Sequence, residues 1–268
     1  MINLNKNDIL WKKEGDRLIE LNKIYNENCL ETMRRINDNS IDLIIADPPY
    51  NKGVADWDKF SLDDYLQFIK QFTLETKRIL SNKGNLFIYN QQPMASYIFQ
   101  VLYEELNFVD EIIWYYKNGG GNAKKKPKNA HQLLYWFSKT NDYIRNFDEV
   151  RQKYSGTRAI YKHNVDKNPQ KAWTPNEKGA MPTNVWEISI VRQRQATELA
   201  KLGIQKPLEL GDRIIKMASN KDSIIYIPFA GSGTEILNCI HNHRNYIASE
   251  INRVYIDNII LPRINKVG

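Results

Sequence analysis

Residues 223–234 read Ser223-Ile224-Ile225-Tyr226-Ile227-Pro228-Phe229-Ala230-Gly231-Ser232-Gly233-Thr234, a short apolar run that empties through a proline into two closely spaced glycines. A run of this length, rich in β-branched and aromatic residues and bounded by turn formers, is a buried strand. The helix after it reaches about His241. A second strand, Tyr246-Ile247-Ala248-Ser249, ends at Glu250, and residues 253–260 form a further helix. Strand, helix and strand in that order imply parallel neighbours joined by a helical crossover on one face.

The alternation recurs upstream. Ile41-Asp42-Leu43-Ile44-Ile45-Ala46 is a strand stopped by Asp47-Pro48-Pro49, because proline supplies no ladder donor. Residues 62–80 carry helical periodicity, with Leu62, Tyr65, Phe68, Ile69, Phe72 and Leu80 on the buried face and Ser81-Asn82-Lys83-Gly84 closing the helix. The strand Leu86-Phe87-Ile88-Tyr89, a helix over 93–106 and a strand over 109–116 follow. Beyond a break come the strand Gln132-Leu133-Leu134-Tyr135-Trp136-Phe137 and a helix over 207–218 that leads back to Ser223. The expected fold is α/β, a mostly parallel sheet with helices on both faces, built from chain on either side of an inserted region.

The 268 residues, 42% of them hydrophobic, suffice for one substantial core. The formal net charge of +7 favours polyanionic partners. Its distribution is uneven: residues 117–171 hold 13 Lys and Arg against 4 Asp and Glu, a local excess of +9, so the rest of the chain is slightly acidic. Two cysteines, Cys29 and Cys239, and four scattered histidines complete neither a disulfide framework nor a zinc site, so no metal is expected. The polar N-terminal residues do not read as a signal peptide, and no apolar run approaches the roughly 20 residues of a membrane span. A reduced, cytoplasmic setting fits, with no membrane partner.

Two constellations carry chemistry. Glycines at a strand-to-helix turn let the backbone approach a ligand, and an acid at the end of the next strand can bond a ribose diol. Gly231, Gly233 and Glu250 stand in that relation, Glu250 lying 17 positions after Gly233. With no third glycine for a dinucleotide fingerprint and no following Lys for a phosphate loop, a nucleoside ligand without a pyrophosphate suits the site, S-adenosylmethionine being one; a plain tight turn with a helix cap is the alternative. The second constellation is Asp47-Pro48-Pro49-Tyr50 at the C-terminal edge of a strand, where open sheets bind ligands. An exocyclic aromatic amine is a poor nucleophile because its lone pair is shared with the ring. The Asp47 carboxylate and the carbonyl of the rigid Pro48 could accept its two hydrogens and free that lone pair, while Tyr50 stacks on the base. Such a base has to leave the duplex. A merely stiff turn is the alternative.

With these residues in view, the chain resembles the amino-methylating DNA methyltransferases, in the permuted class whose catalytic tetrapeptide precedes the glycine loop, and within it the small adenine methyltransferases of type II restriction-modification systems. Asn28-Cys29, Asp47 to Tyr50, Trp57-Asp58, Trp136-Phe137-Ser138-Lys139, Gln205-Lys206-Pro207, Pro228 to Thr234 and Glu250 carry the resemblance. It implies a Rossmann-like S-adenosylmethionine-dependent methyltransferase fold and a sequence-specific adenine-N6 methyltransferase of a bacterial cytoplasm, acting on duplex DNA with S-adenosylmethionine. A homodimer and a cognate restriction endonuclease are partners it admits. It implies that Asp47 and the Pro48 carbonyl hold the target N6, with Pro49 and Tyr50 completing the catalytic group. Phe229, Gly231, Ser232 and Gly233 would line the cofactor pocket beside Asp47, Glu250 would take the ribose hydroxyls, and Lys206, Pro207 and Thr234 would border the methionine end. Cys29 would approach the cofactor adenine or serve as a small buried hydrophobe.

The chain departs from the family pattern at three positions: Ile227 stands where Asp is usual, Gln132 where Glu follows His131, and Glu235 where a second Thr is common. The first two support an alternative reading, a catalytically impaired DNA-binding partner subunit. Cytosine-N4 methylation, which uses the same geometry, is the alternative within enzymes, and Asp47 rather than Ser in first place favours adenine.

The catalytic domain is expected over 1–139 and 204–268, a target-recognition region over 140–203, and a basic flexible loop over 117–130. Lys124, Lys125, Lys126 and Lys128 on a glycine-rich tether suit phosphate neutralisation, which positions a duplex without reading it. Arg151, Arg158, Arg192 and Arg194, with Gln152, Gln170 and Gln193, are the candidates for DNA contacts that read bases. A solvated basic surface is the alternative for any one of them. Tyr115, Tyr116, Tyr154, Tyr161 and Trp173 could stack on bases or complete a small core, and Trp186, between Val185 and Ile188, is expected in a core.

Overall fold

In a computed structural model, residues 9–10, 19–51, 53, 59–117, 124–125, 127–154, 176–191 and 205–266 are described. Two short strands, β1 (Ile9–Leu10) and β2 (Ile19–Glu20), pair with each other. The remaining strands are β3 (Lys23–Tyr25), β4 (Ile41–Ala46), β5 (Leu80–Asn90), β6 (Asn107–Tyr115), β7 (His131–Ser138), β8 (Val185–Glu187), β9 (Ile224–Ile227) and β10 (Asn245–Ser249). They form one eight-stranded sheet in the order β3-β10-β9-β4-β5-β7-β6-β8.

The sheet is parallel from β3 through β5 and again between β6 and β8, whereas β7 runs antiparallel to both β5 and β6. The strand, helix and strand expected over residues 86–116 are present as β5, a helix and β6, and β5 and β6 run in the same direction; β7 alone makes the sheet mixed. After β6 the chain returns as β7, an antiparallel neighbour inserted between β5 and β6, with no helix among the described residues that link the two strands.

Helices cover both faces. On one lie α1 (Cys29–Arg35), α2 (Leu62–Ile79) and α3 (Met94–Tyr103), whose apolar stripes share a core with Ile44, Ala46, Leu86 and Ile88. On the other lie α4 (Leu208–Ala218), α5 (Thr234–His241) and a last helical stretch, α6, made of Arg253–Tyr255, a π-helical turn Ile256–Ile260 and Leu261–Ile264. These pack on Leu43, Ile45, Ile225 and Ile227. In α2 the inner stripe Tyr65, Ile69, Phe72 and Ile79 is fully buried, each residue contributing about 1.5–3 kcal/mol relative to exposure. Ser61 caps that helix by accepting the Asp64 amide.

Three sequence expectations shift. Leu62, expected on the buried face, is 39% exposed as the first residue of the helix. Leu80 is buried but belongs to β5. Residues 81–84 do not close α2; the helix ends at Ile79, and the register between Ile41 and Leu43 absorbs them within the strand pairing. A Cβ on Gly84 would stand 2.9 Å from the Ile41 carbonyl, so the irregularity needs glycine there.

Described residues on the C-terminal side of residue 140 lie against the sheet and its helices. Within 140–203, the 3-10 turn Phe147–Val150 packs on α4, and β8 forms the edge of the sheet beside β6. Trp186, as expected, is core, 2% exposed, with its indole donating to the Thr183 carbonyl. What residues 155–175 and 192–204 add lies outside the described residues.

The parallel strands place the site. From β4 the chain proceeds through α2 to β5 on one side, and from β9 it proceeds through α5 to β10 on the other. Adjacent strands whose connections diverge leave a crevice at their C-terminal ends, where ligands bind in open α/β sheets. The loops that open there begin at Asp47 and Pro228.

Candidate active site

At the end of β9 the chain must turn sharply into α5, and it does so with Gly231 at φ 50° and Gly233 at φ 73°. The two glycines serve different ends. A Cβ on Gly233 would lie 2.8 Å from Ile260 of α6, whereas nothing stands within 4 Å of one on Gly231, whose backbone faces open space. Glu250, 8% exposed, closes the turn from β10: its Oε2 accepts the Gly231 amide and its Oε1 the Asn252 amide, each at 2.8 Å. Burial raises the Glu250 carboxyl, and the Asn252, Gly231 and Ile251 amides oppose that rise.

A cavity of about 310 Å³ lies between this turn and the tetrapeptide. Phe68, Pro228, Phe229 and Cys29 supply apolar walls, Glu250 and Asn252 a polar end, and Asp47 and Pro49 another part of the lining. An apolar slot with a carboxylate at one end matches a nucleoside. This lining is compatible with S-adenosylmethionine, offering an acid of the kind that would accept ribose hydroxyls and aromatic side chains of the kind that would flank a base. Cys29 does line the cavity; its thiol is pushed up to about 12 by burial, so it acts there as a neutral apolar surface.

A buried hydrogen-bonded chain holds the Glu27–Cys29 wall. Tyr226 Oη donates to the Cys29 carbonyl at 2.9 Å and lies 2.8 Å from Ser249 Oγ. Ser249 Oγ donates to Thr32 Oγ1, Thr32 Oγ1 donates to Glu27, and Arg35 pairs with the same Glu27 carboxylate. Side chains of β9, β10 and α1 thereby set one wall of the pocket.

The tetrapeptide follows β4 directly. Tyr50 Oη donates to Asp47 Oδ1 and Lys206 Nζ to Oδ2, both at 2.5 Å. Burial raises the Tyr50 phenol and the adjacent Asp47 charge raises it further, so Tyr50 stays a donor. Tyr65 of α2 donates to the Pro49 carbonyl at 2.8 Å, while among the described residues no donor reaches the Pro48 carbonyl. The rigid turn thus leaves the Pro48 carbonyl without a donor among the described residues, while both oxygens of Asp47 are engaged.

Lys206, 6% exposed, precedes α4, which Pro207 opens as N-cap. Thr234 Oγ1 donates to the Lys206 carbonyl at 3.3 Å and bonds Ser232 Oγ at 3.0 Å. Arg263 of α6 clamps the same loop, bonding the Ser232 carbonyl and Thr234 Oγ1. Glu235, one residue on, is buried with Oε1 lacking a hydrogen-bond partner, and burial raises its carboxyl to about 7. Ile227, where the family pattern has Asp, is 1% exposed and fills a core position. Gln132 is partly buried with Oε1 unpartnered.

Of the candidate DNA contacts, Lys124, Lys125 and Lys128 are exposed. Lys126, Arg158, Arg192, Arg194, Gln170 and Gln193, with Trp57, Asp58, Tyr161 and Trp173, lie outside the described residues. Arg151 is placed differently from the expectation. Its guanidinium pairs with Asp148 at 2.6 Å and donates to the Gly179 carbonyl at 3.0 Å, leaving the side chain 15% exposed. It lines a groove with Arg244, which precedes β10, at the N-terminal edge of the parallel strands and so opposite Asp47. Tyr154 is likewise engaged, accepting the Asn176 amide.

Several lining and supporting residues were not read as functional from the sequence: Tyr65, Phe68, Asn252, Tyr255, Arg263 and the Tyr226–Thr32 chain. Helical periodicity put Tyr65 and Phe68 on the inner face of α2 but not at the crevice. Nothing in the order of residues marks Arg263, 31 positions from Ser232, as its partner.

A family model described as DNA methylase matches residues 41–261. The chain is similar to the type II methyltransferase M1.MboII of Moraxella bovis, 31% identical over 258 residues, which covers 92% of this chain and 99% of that one. It is also similar to the type II methyltransferase M.HpaI of Haemophilus parainfluenzae, 31% identical over 236 residues, 86% of this chain and 70% of that one. Among solved structures, the cytosine-N4-specific PvuII DNA methyltransferase superposes with a TM-score of 0.63 at 18% identity, over 91% of this chain and 90% of that one. M1.HpyAVI in complex with SAM gives 0.58 at 23%, over 90% and 98%. At these identities the structural likeness carries the fold: a Rossmann-like α/β methyltransferase fold with a mixed sheet and flanking helices.

Proposed function

We infer that this chain, which belongs to the DNA methylase family of amino-methylating, S-adenosylmethionine-dependent enzymes, methylates N6 of an adenine turned out of duplex DNA at a specific sequence. The observation that carries this reading is Asp47 in the lining of a cavity with apolar walls and the Glu250 carboxylate, next in the chain to a Pro48 carbonyl that no described donor reaches.

The cofactor, when bound, supplies an electrophilic methyl group on a sulfonium. Asp47 accepts one hydrogen of the target amine and the Pro48 carbonyl the other. That draws the nitrogen toward tetrahedral geometry and releases its lone pair from the ring. The Asp-Pro-Pro backbone, held through Tyr65, keeps both acceptors in place, which serves an in-line transfer more than acid-base assistance does. Once the methyl group had passed from a bound cofactor to the nitrogen, the surplus N6 proton would leave to Asp47 or to water. Tyr50 provides a ring to stack on the flipped base, and Lys124, Lys125, Lys126 and Lys128 neutralise phosphates. The relatives of 31% identity are type II methyltransferases, which supports a place in a restriction-modification system.

Methylome sequencing of DNA from cells expressing the protein, beside an Asp47→Ala control, tests the reading. We expect 6-methyladenine at one recognition sequence, absent in the control. N4-methylcytosine instead would support the second reading, to which the likeness of fold to a cytosine-N4-specific enzyme lends weight. The impaired-subunit reading requires a protein that does not hold the cofactor. Ile227 packs in the core while the glycine turn and Glu250 remain, so calorimetric titration should give micromolar binding of S-adenosylmethionine.

A further inference from the structure

Both oxygens of Asp47 are occupied, Oδ1 by Tyr50 and Oδ2 by the Lys206 ammonium. A carboxylate shared with an ammonium 2.5 Å away is a weakened acceptor for an amine hydrogen. Lys206, 6% exposed, cannot simply withdraw into water, and a buried ammonium that loses its anion is costly unless another anion receives it.

One such anion stands nearby. Glu235 is 6% exposed, and its Oε1 has no hydrogen-bond partner. It follows Thr234, whose hydroxyl bonds the Lys206 carbonyl. The Lys206 ammonium already lies 4.9 Å from the centre of the Tyr89 ring. Tyr89 feels the Glu235 charge, and its buried Oη also lacks a partner. Orphaned buried polar atoms are rare and ask for a partner in some state of the protein. Placement in the first turn of α5 favours a negative side chain.

We propose that Glu235 is a positioning residue for the methyl transfer: its carboxylate receives the Lys206 ammonium when the target amine takes Oδ2 of Asp47. This rests on the reading of Asp47 as the amine acceptor. The ionisable groups around Glu235 are Asp47 after β4, Tyr89 in β5, Lys206 before α4, Arg263 on α6 and Cys239 on its own helix. Burial and the Asp47 charge hold the carboxyl up near 7, while Lys206 and Arg263 pull it down. The ionised form is the one that can receive Lys206, so turnover rises with pH through neutrality.

Two measurements test the proposal, one of them independent of any activity. In thermal unfolding, Glu235→Gln should leave Tm unchanged or raised in the wild-type background, since it removes a buried carboxylate whose Oε1 has no hydrogen-bond partner. In the Asp47→Asn background, where Glu235 is the carboxylate left to Lys206, the same change should lower Tm by about 2–4 °C. Equal shifts in the two backgrounds overturn the proposal, as they would if the cofactor carboxylate were the only alternative partner of Lys206. In methylation assays, Glu235→Gln should lower kcat about tenfold or more, with KM for DNA and cofactor affinity within about threefold, and should flatten the rise of kcat through neutral pH. Glu235→Asp should restore part of kcat. Wild-type kcat and pH profile in Glu235→Gln would also overturn it. A wild-type protein that methylates no DNA would refute the proposed function instead, leaving the thermal cycle to decide on Glu235.

Discussion

Oε2 of Glu250 accepts the amide of Gly231 at 2.8 Å, so the end of β10 and the turn after β9 share one carboxylate. Its other oxygen takes the Asn252 amide. Glu250→Ala takes the acceptor from two partly buried amides and removes the acid that lines the cavity. The expected result is a stability loss of about 2–4 kcal/mol in denaturant unfolding, together with at least about tenfold weaker S-adenosylmethionine binding by calorimetry. Unchanged affinity in a folded variant would remove Glu250 from the cofactor site.

The two glycines of the turn should separate in mutagenesis. Gly233→Ala combines a left-handed backbone with a 2.8 Å contact to Ile260 and should cost about 2–4 kcal/mol. Gly231→Ala meets no atom within 4 Å and carries only the backbone strain, about 1 kcal/mol. Urea titration of both variants checks the ranking.

Tyr65→Phe removes the donor to the Pro49 carbonyl without changing the apolar contacts of α2. A lost hydrogen bond of about 1 kcal/mol that loosens the acceptor pair should lower kcat about fivefold and leave cofactor affinity unaltered. Steady-state kinetics beside calorimetry distinguish that outcome from general destabilisation.

Glu235 should give the fold a pH dependence of its own. Its carboxyl is raised in the folded protein from 4.5 to about 7, so between those values the folded state binds more protons than the unfolded state. Stability therefore falls as pH rises from about 4.5 through 7, by an amount on the order of 3 kcal/mol for this one group. Glu235→Gln should flatten that slope; a parallel pH–stability curve would show that the carboxyl titrates normally.

Charge on the basic loop should be read in salt dependence. Replacing the exposed Lys124, Lys125 and Lys128 by Ala should weaken DNA binding for all sequences alike and reduce the slope of log K against log salt by about 2–3. Arg151→Ala, by contrast, breaks an ion pair and a backbone contact at the opposite edge of the sheet. It should lower stability while leaving that slope intact.

The order of residues was enough to define the strands around 41–46, 224–227 and 245–249, the glycine turn, the Asp47 tetrapeptide and the acid at Glu250. Each of these is local: an apolar run, a proline stop, a backbone that only glycine adopts, an acid one strand later. Tertiary structure decided what depends on separations of tens to hundreds of residues. Antiparallel β7 inserts between β5 and β6 because strand order is settled by which faces bury together, not by the alternation of strands and helices. Lys206 meets Asp47 from 159 positions away, and Tyr226, Ser249 and Thr32 join three elements behind Cys29. Arg151 looked equivalent to the other basic residues until its neighbours Asp148 and Gly179 engaged it. Charge and side-chain type are properties of a residue, but whether a charge is free, paired or orphaned belongs to the packing around it.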